Sequence, residues 1–446
     1  MKYENAKDLL PKELFEELVR HAAGKLLYVP SQSGRRPWGE STGYRRQLGR
    51  RNAEIRRKFT EGASIDSLAD EYFLTPETVK KIVYLKKEKT TMELNEIFNL
   101  YSDEEPLSVE TLRERTWSSG PEQYIYEAAL TYPDRKIVLR VFCYCFATPE
   151  RIAQGARMID AYREMGYDFP KIVPNVNGDL THREKYNGYD CVVYAYEWAD
   201  GVRMAEREGP SGRLPCYDEL LMIGAKAATL HLDGEESSCM ALFEPVTACG
   251  AYEDYTAEYV MCDLKELITR EYPSLADKYA KIARLFSENR DVLRPMWSTL
   301  PSSLFFGDHW GVFVDGDGRL AYVTDFEDGG RETNLGYLFR LALYLADSET
   351  GDDAANACEE MYDEALLKRG TEAFCRNVKY IAQRYRFSDE EIAAAQYLWR
   401  NMLFGNHYYW ELGSFAEGDA ERLSDFFDFL EKRFKADEID FASLMR

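Results

Sequence analysis

The spacing of apolar positions changes along the chain, and each change marks a different kind of element. Between residues 45 and 89 the apolar positions are Ile55 and Phe59, then Ile65, Leu68, Ala69, Tyr72 and Leu74, then Val79, Ile82 and Val83. Those are helical spacings in three short blocks. Gly62 parts the first block from the second, and "FLT" turns the chain before the third. Thr75 suits an N-cap and Pro76 the first helical position. A small residue, Ala69, lets two helices cross closely. This pattern predicts a helix-turn-helix whose third helix, residues 76–86, turns Thr78, Lys80 and Lys81 away from its apolar face. Residues 92–116 are acidic and polar with Pro106, which predicts a connecting helix and linker.

From Trp117 the period becomes that of strands. "SSGPEQYIYEAAL" and "KIVLRVFCYC" flank the turn "TYPDRK". A helix follows over "TPERIAQGARMIDAYREMG", started by Thr148 and stopped by Gly166, and then the strand "YDCVVYAYEW". Beyond Leu214 the pattern is helical except in "SSLFF", "VFVDGDGRL" and "LAYVT", where the middle run reads as a hairpin. The predicted organisation is a small all-α domain (1–91), a linker (92–116), a β-rich lobe (117–200) and an α-rich lobe (201–446).

Composition narrows the picture. The 446 residues are 45% hydrophobic and 14% aromatic, a globular balance. The net charge of −22 argues against nucleic-acid binding by the whole chain and favours cationic ligands. Residues 45–89 are the exception, with 12 Lys and Arg against 7 Asp and Glu. A basic module on an acidic body can contact DNA. The cysteines number nine, an odd count without C-x-x-C, which predicts buried thiols in a reducing compartment. No apolar leader opens the chain, and the run "IVLRVFCYCFA" carries Arg140 and is far short of the roughly 18 residues a membrane span needs. A cytoplasmic protein without a membrane segment is expected.

The chemistry sits in "FFGDHWGVFVDGDGRLAYVTDFED". Asp308 follows one short strand and Asp325 follows another. Phosphoryl transfer needs a cover and a cation for the phosphates, metal-binding carboxylates and a base near the acceptor hydroxyl. The two-lobed layout and these residues together resemble the aminoglycoside phosphotransferase and choline-kinase-like family over about residues 115–345. That resemblance implies an α+β, two-lobed protein-kinase-like fold with a β-rich N-lobe and an α-rich C-lobe. It implies ATP and Mg2+ as cofactors and a small-molecule acceptor, cationic or sugar-like. By the same resemblance, Gly120 lies in the phosphate-covering loop and Arg140 is the strand cation on the phosphates. Tyr196, Glu197 and Trp198 form the adenine hinge, Asp308 is the catalytic base and Asp325 holds the metal. Trp399, Tyr408 and Trp410 are candidates for stacking on an acceptor.

The sequence also departs from the family. Phe306 stands where relatives have His, and no Asn lies between Asp308 and Asp325, so Gly311 or Val312 falls at the second metal ligand. Gln154 and Gly155 occupy the helix region that should carry a Glu for the strand cation, and Arg340 takes part of the space of a further acid. About 70 residues of the N-terminal module, with "LLYVPSQSG" and "RRNAEIRRKF", resemble the Mor transcription activator family. That implies DNA contact through Thr78, Lys80 and Lys81, and a homodimer. Two expectations follow: a small-molecule kinase, or a DNA-binding regulator whose degenerate kinase-like domain senses a nucleotide or metabolite.

Overall fold

A computed structural model describes residues 58–59, 64–72, 74–75, 79–80, 94–117, 123–144, 146–207, 212–239, 241–243, 257–307, 311–350, 364–402, 420–436 and 439–446. The chain divides into two compact units, Met1–Lys89 and Thr90–Arg446.

In the first unit, helix α1 (Ile65–Tyr72) starts where the Ser64 hydroxyl accepts from the Ser67 N–H at 3.1 Å. Leu68, Ala69 and Val79 are buried together, with Phe59, Ile65, Tyr72 and Leu74 against them. The Val79 N–H donates to the Thr75 carbonyl at 3.0 Å, a first helical turn at the predicted cap. Lys80 is exposed, while Thr78 and Lys81 lie outside the described residues.

In the second unit, the short helix α2 (Leu94–Phe98) precedes β1 (Ser108–Trp117), β2 (Gln123–Thr131) and β3 (Lys136–Cys143). Helix α3 (Pro149–Glu164) follows, then β4 (His182–Tyr186), β5 (Tyr189–Glu197) and the two-residue β6 (Val202–Arg203). The sheet order β1-β2-β3-β5-β4 is antiparallel throughout. Its central strands β2, β3 and β5 read as near-continuous apolar runs because both faces are covered. One face, with Tyr126, Leu139 and Val193, packs on Ile97, Phe98 and Tyr101. The other, with Ile125, Phe142, Tyr194 and Tyr196, shares one core with α3 and the helical lobe. Residues 92–116 therefore differ from the predicted linker. The helix is there, but Ser108–Trp117 pairs with β2 as an edge strand, its polar composition fitting its exposure.

The helical lobe contains α4 (Cys216–Leu230), α5 (Ala257–Glu271) and α6 (Ala276–Trp297). After β7 (Ser302–Phe305), β8 (Val312–Val314), β9 (Leu320–Val323) and β10 (Gly330–Thr333) come α7 (Asn334–Thr350), α8 (Glu364–Ala382), α9 (Asp389–Met402), α10 (Ala420–Lys435) and α11 (Phe441–Leu444). Strands β8 and β9 form the expected hairpin, closed by the Asp315 N–H on the Arg319 carbonyl at 3.0 Å, with Gly318 in the left-handed region at φ 77°. Strand β7 pairs with β10, so the loop after β9 runs from the hairpin sheet to the β7–β10 pair. A five-stranded antiparallel sheet carrying one helix, followed by a helical lobe with a hairpin, is the two-lobed kinase-like architecture. Among the described residues no helix is long and apolar enough to cross a membrane. Burial pushes the Cys191 and Cys216 thiols up to about 12, so both stay protonated in the core.

Candidate functional site

An arginine in the middle of an apolar strand must find partners or be expelled. Arg140 in β3 is 1% exposed and finds three carboxylates. Its Nε donates to Glu127 at 2.9 Å, and its Nη1 lies 2.5 Å from Asp325 and 3.1 Å from Glu327. Strand register builds half of this. Arg113, Glu127, Arg140 and Tyr194 stand directly opposite one another across β1, β2, β3 and β5. The row depends on a bulge in β1 between Thr111 and Arg113, which passes over Leu112 and brings Arg113 opposite Glu127. Arg113 reaches Glu127 at 3.3 Å.

The other half comes from the loop after β9. Asp325 has φ 59°, a left-handed conformation that a short acidic residue tolerates and that turns the chain sharply at the strand end. Thr324 closes that turn by donating its N–H to the Gly311 carbonyl at 2.8 Å. Glu327 is buried and accepts from the hydroxyls of Tyr194 at 2.5 Å and Tyr196 at 3.3 Å. Arg203 of β6 lies 3.7 Å from Asp325 and 3.6 Å from Glu127. Guanidiniums from β1, β3 and β6 thus face carboxylates from β2 and the β9 loop, in a water-poor place where each interaction is strong.

Burial alone would raise the Asp325 carboxyl, but Arg140 and Arg203 outweigh it and hold it down at about 2. Glu327 goes the other way: burial pushes it up by more than Arg140 draws it down. Burial also pushes the Tyr194 and Tyr196 hydroxyls well above the usual phenol range, so both remain donors. The cluster therefore holds a strongly ionised carboxylate, Asp325, beside one that burial shifts the opposite way, Glu327.

Among the described residues no group of three His, Cys, Asp or Glu side chains could hold a metal ion. Asp325 offers one carboxylate, already against two guanidiniums. Mg2+ is commonly bound by one or two carboxylates and completed by substrate phosphates and water. The donor set fits an ion that arrives on phosphates, and does not fit a resident one.

Of the residues expected at the site, Arg140 and Asp325 are brought into contact. Tyr196 joins them through its hydroxyl, whereas Glu197 and Trp198 do not. The N–H groups of Glu197 and Trp198 donate to the carbonyls of Lys171 at 2.8 Å and Lys136 at 3.2 Å. The Trp198 ring carries Lys136 Nζ 3.3 Å from its centroid. Asp308 and Gly120 lie outside the described residues. Two glycines bracket residues 308–310, and each abuts the β9 loop. A Cβ on Gly307 would come 2.7 Å from Asp328 Cβ, and one on Gly311 would come 2.5 Å from the Thr324 carbonyl oxygen. That second contact accounts for the missing Asn at 311, and Val312 is a buried partner of Val323 in the hairpin.

Helix α3 turns no acid toward Arg140. Its inner face carries Arg151, Gln154 and Gly155. Arg151 Nη1 donates to the carbonyls of Glu327 at 3.0 Å and Gly329 at 3.3 Å, and its Nη2 to that of Ser237 at 2.5 Å. Gln154 exchanges two hydrogen bonds with the Glu236 backbone, at 3.0 and 3.1 Å. A Cβ on Gly155 would stand 2.9 Å from Phe326 Cβ, so glycine is what lets the β9 loop approach the helix. Arg340 pairs with buried Glu332 at 2.8 Å and serves the second lobe's own core. Trp399 is also core, stacked on Phe374 with centroids 4.6 Å apart, which removes it as an acceptor platform; Tyr408 and Trp410 lie outside the described residues.

Sequence reasoning passed over Glu127, Glu327, Arg113 and Arg203. A signal existed for Glu127, a lone acid inside the apolar run "YIYEAAL". For the others the needed information is register and loop path.

No family model matches the chain. Among solved structures it is similar to an amicoumacin kinase in complex with AMP-PNP, Ca2+ and Ami, with a TM-score of 0.48 and 15% identity over 82% of this chain and 99% of that one. A microcompartment-associated aminopropanol kinase gives a TM-score of 0.42 and 13% identity over 79% of this chain and 98% of that one. A spectinomycin phosphotransferase in complex with ADP and its antibiotic gives 0.36 and 10% over 79% and 96%. In sequence, 87 residues, 19% of this chain, are 41% identical to the whole of the uncharacterized protein YraL of Bacillus subtilis (strain 168). Over those 87 residues the chain belongs to the same family as YraL.

Proposed function

We propose that the two-lobed unit is a phosphotransferase that moves the terminal phosphoryl group of ATP to a hydroxyl of a small molecule. The observation that carries this reading is the 2.5 Å contact between Arg140 on the sheet and Asp325 at the end of β9. It brings a buried, permanent cation and a strongly ionised carboxylate to one point between the lobes, as phosphate and metal binding require. Asp325 would hold Mg2+ carried by the nucleotide, and that ion would supply charge neutralisation of the phosphates. Arg140 would then bond phosphate oxygens with the donors that now face Asp325. Asp308 is the proposed base for the acceptor hydroxyl, and Gly120 the turn of the covering loop. Adenine would lie against the strand end at Tyr196, Glu197 and Trp198, bonded by backbone beyond the two N–H groups already engaged.

One observation favours a second reading, a nucleotide-binding domain without turnover. Arg140 and Arg203 face opposite oxygens of Asp325, and Gly311 leaves no room for a second ligand. The test is thermal unfolding with and without Mg–ATP. Binding raises the melting temperature of the wild type, and Asp325→Ala abolishes the rise. A wild type that Mg–ATP does not stabilise sinks the proposal.

A further inference from the structure

The strand cation of a phosphotransfer site must be held in one orientation, because its value lies in meeting the phosphates without reorganising. In this chain the acid that could do so is not on helix α3. That helix spends Arg151 and Gln154 on the backbone of residues 236–237 and 327–329, and Gly155 is closed by Phe326. We propose that Glu127 of strand β2 is the residue that positions Arg140 for nucleotide phosphates, a role deepening the phosphotransferase reading and resting on it.

Geometry separates Glu127 from the other acids on Arg140. Asp325 and Glu327 meet its Nη1, the end of the guanidinium that points to the second lobe. Glu127 takes Nε from the side, at 2.9 Å, and is the register partner of Arg140 in the same sheet. A bond at Nε fixes the plane of the guanidinium and leaves its outer N–H groups for oxygens beyond. Being inside one rigid sheet, the pair persists whether or not Asp325 is engaged by a metal ion. Glu127 is itself steadied by Arg113 at 3.3 Å and Arg203 at 3.6 Å. The bulge at Leu112 that delivers Arg113 to this row is a local irregularity with a direct consequence for the site. A Glu on β2 does this work from the strand paired directly with the one that carries Arg140.

The test compares affinities of the full chain for Mg–ATP and for adenosine, by calorimetry, in wild type, Glu127→Gln and Glu127→Asp. Adenosine lacks the phosphates that Arg140 would meet. Glu127→Gln should weaken Mg–ATP by at least about tenfold, the order of one charge-assisted hydrogen bond, and leave adenosine unchanged. Glu127→Asp, which keeps the charge, should recover part of the loss; it also serves if the Gln variant does not fold. Equal weakening of both ligands, or of neither, would show Glu127 to be structural and overturn its positioning role. A wild type that binds adenosine no more weakly than Mg–ATP overturns the phosphotransferase reading and this inference with it, an outcome read before any variant is made.

Discussion

At the scale of residues, the two acids beside Arg140 should behave differently when removed. Asp325 has a folded pKa of about 2, below its unfolded value of 3.8. Its contribution to stability is complete above 3.8 and is lost as pH falls toward 2. Glu327 is raised above 4.5, so its favourable contribution is fully present below 4.5 and is lost as pH rises through the folded value. At pH 7 Asp325→Asn should therefore cost about 3–5 kcal/mol, the range for breaking a buried ion pair, and Glu327→Gln about 1–2 kcal/mol. Urea unfolding at pH 7 measures both. The Asp325→Asn curve should also be flatter than wild type between pH 4 and 2, where the wild type loses this interaction. A Glu327→Gln variant less stable than Asp325→Asn would mean that the wrong acid has been taken as the permanent anion.

At the scale of elements, much was legible and the reasons are specific. The runs "YIYEAAL", "IVLRVFC" and "VVYAYEW" are apolar on both faces, so they announced central strands; Thr148 and Gly166 announced the limits of α3. Ser108–Trp117 was not legible, because an exposed edge strand carries the charge that elsewhere marks a linker. Asp325 was legible from its position after a strand and Arg140 through the family resemblance, while Glu127 and Arg203 needed a register and a loop path that no spacing encodes. Gly155 shows the same limit. In sequence it is a helix residue of poor propensity; in the fold it is the contact that admits Phe326. Gly155→Ala would gain about 1 kcal/mol at an open helical site. Here the new Cβ meets Phe326 Cβ at 2.9 Å, and overpacking should cost about 1–3 kcal/mol in urea unfolding. A stabilised Gly155→Ala variant would contradict that packing.

At the scale of the whole molecule, the chain is two units, and the candidate site lies within Thr90–Arg446. Its acids and guanidiniums all come from that unit, so a chain beginning at residue 90 should keep the Mg–ATP shift in melting temperature expected of the full chain. Loss of the shift on truncation would give the first unit a share in nucleotide binding. The basic stretch of residues 45–89 belongs to the first unit, where Lys80 is exposed and Thr78 and Lys81 lie outside the described residues. The site itself is neutralised within its own lobes, by arginines from three strands and acids from two places. The most direct measurement of the central claim is ADP release from Mg–ATP across a panel of amino alcohols, amino sugars and nucleosides, with Asp308→Asn beside the wild type. Phosphoryl transfer predicts acceptor-dependent ADP release that Asp308→Asn reduces by about 100-fold or more; release that no acceptor stimulates, or that the variant matches, would contradict it.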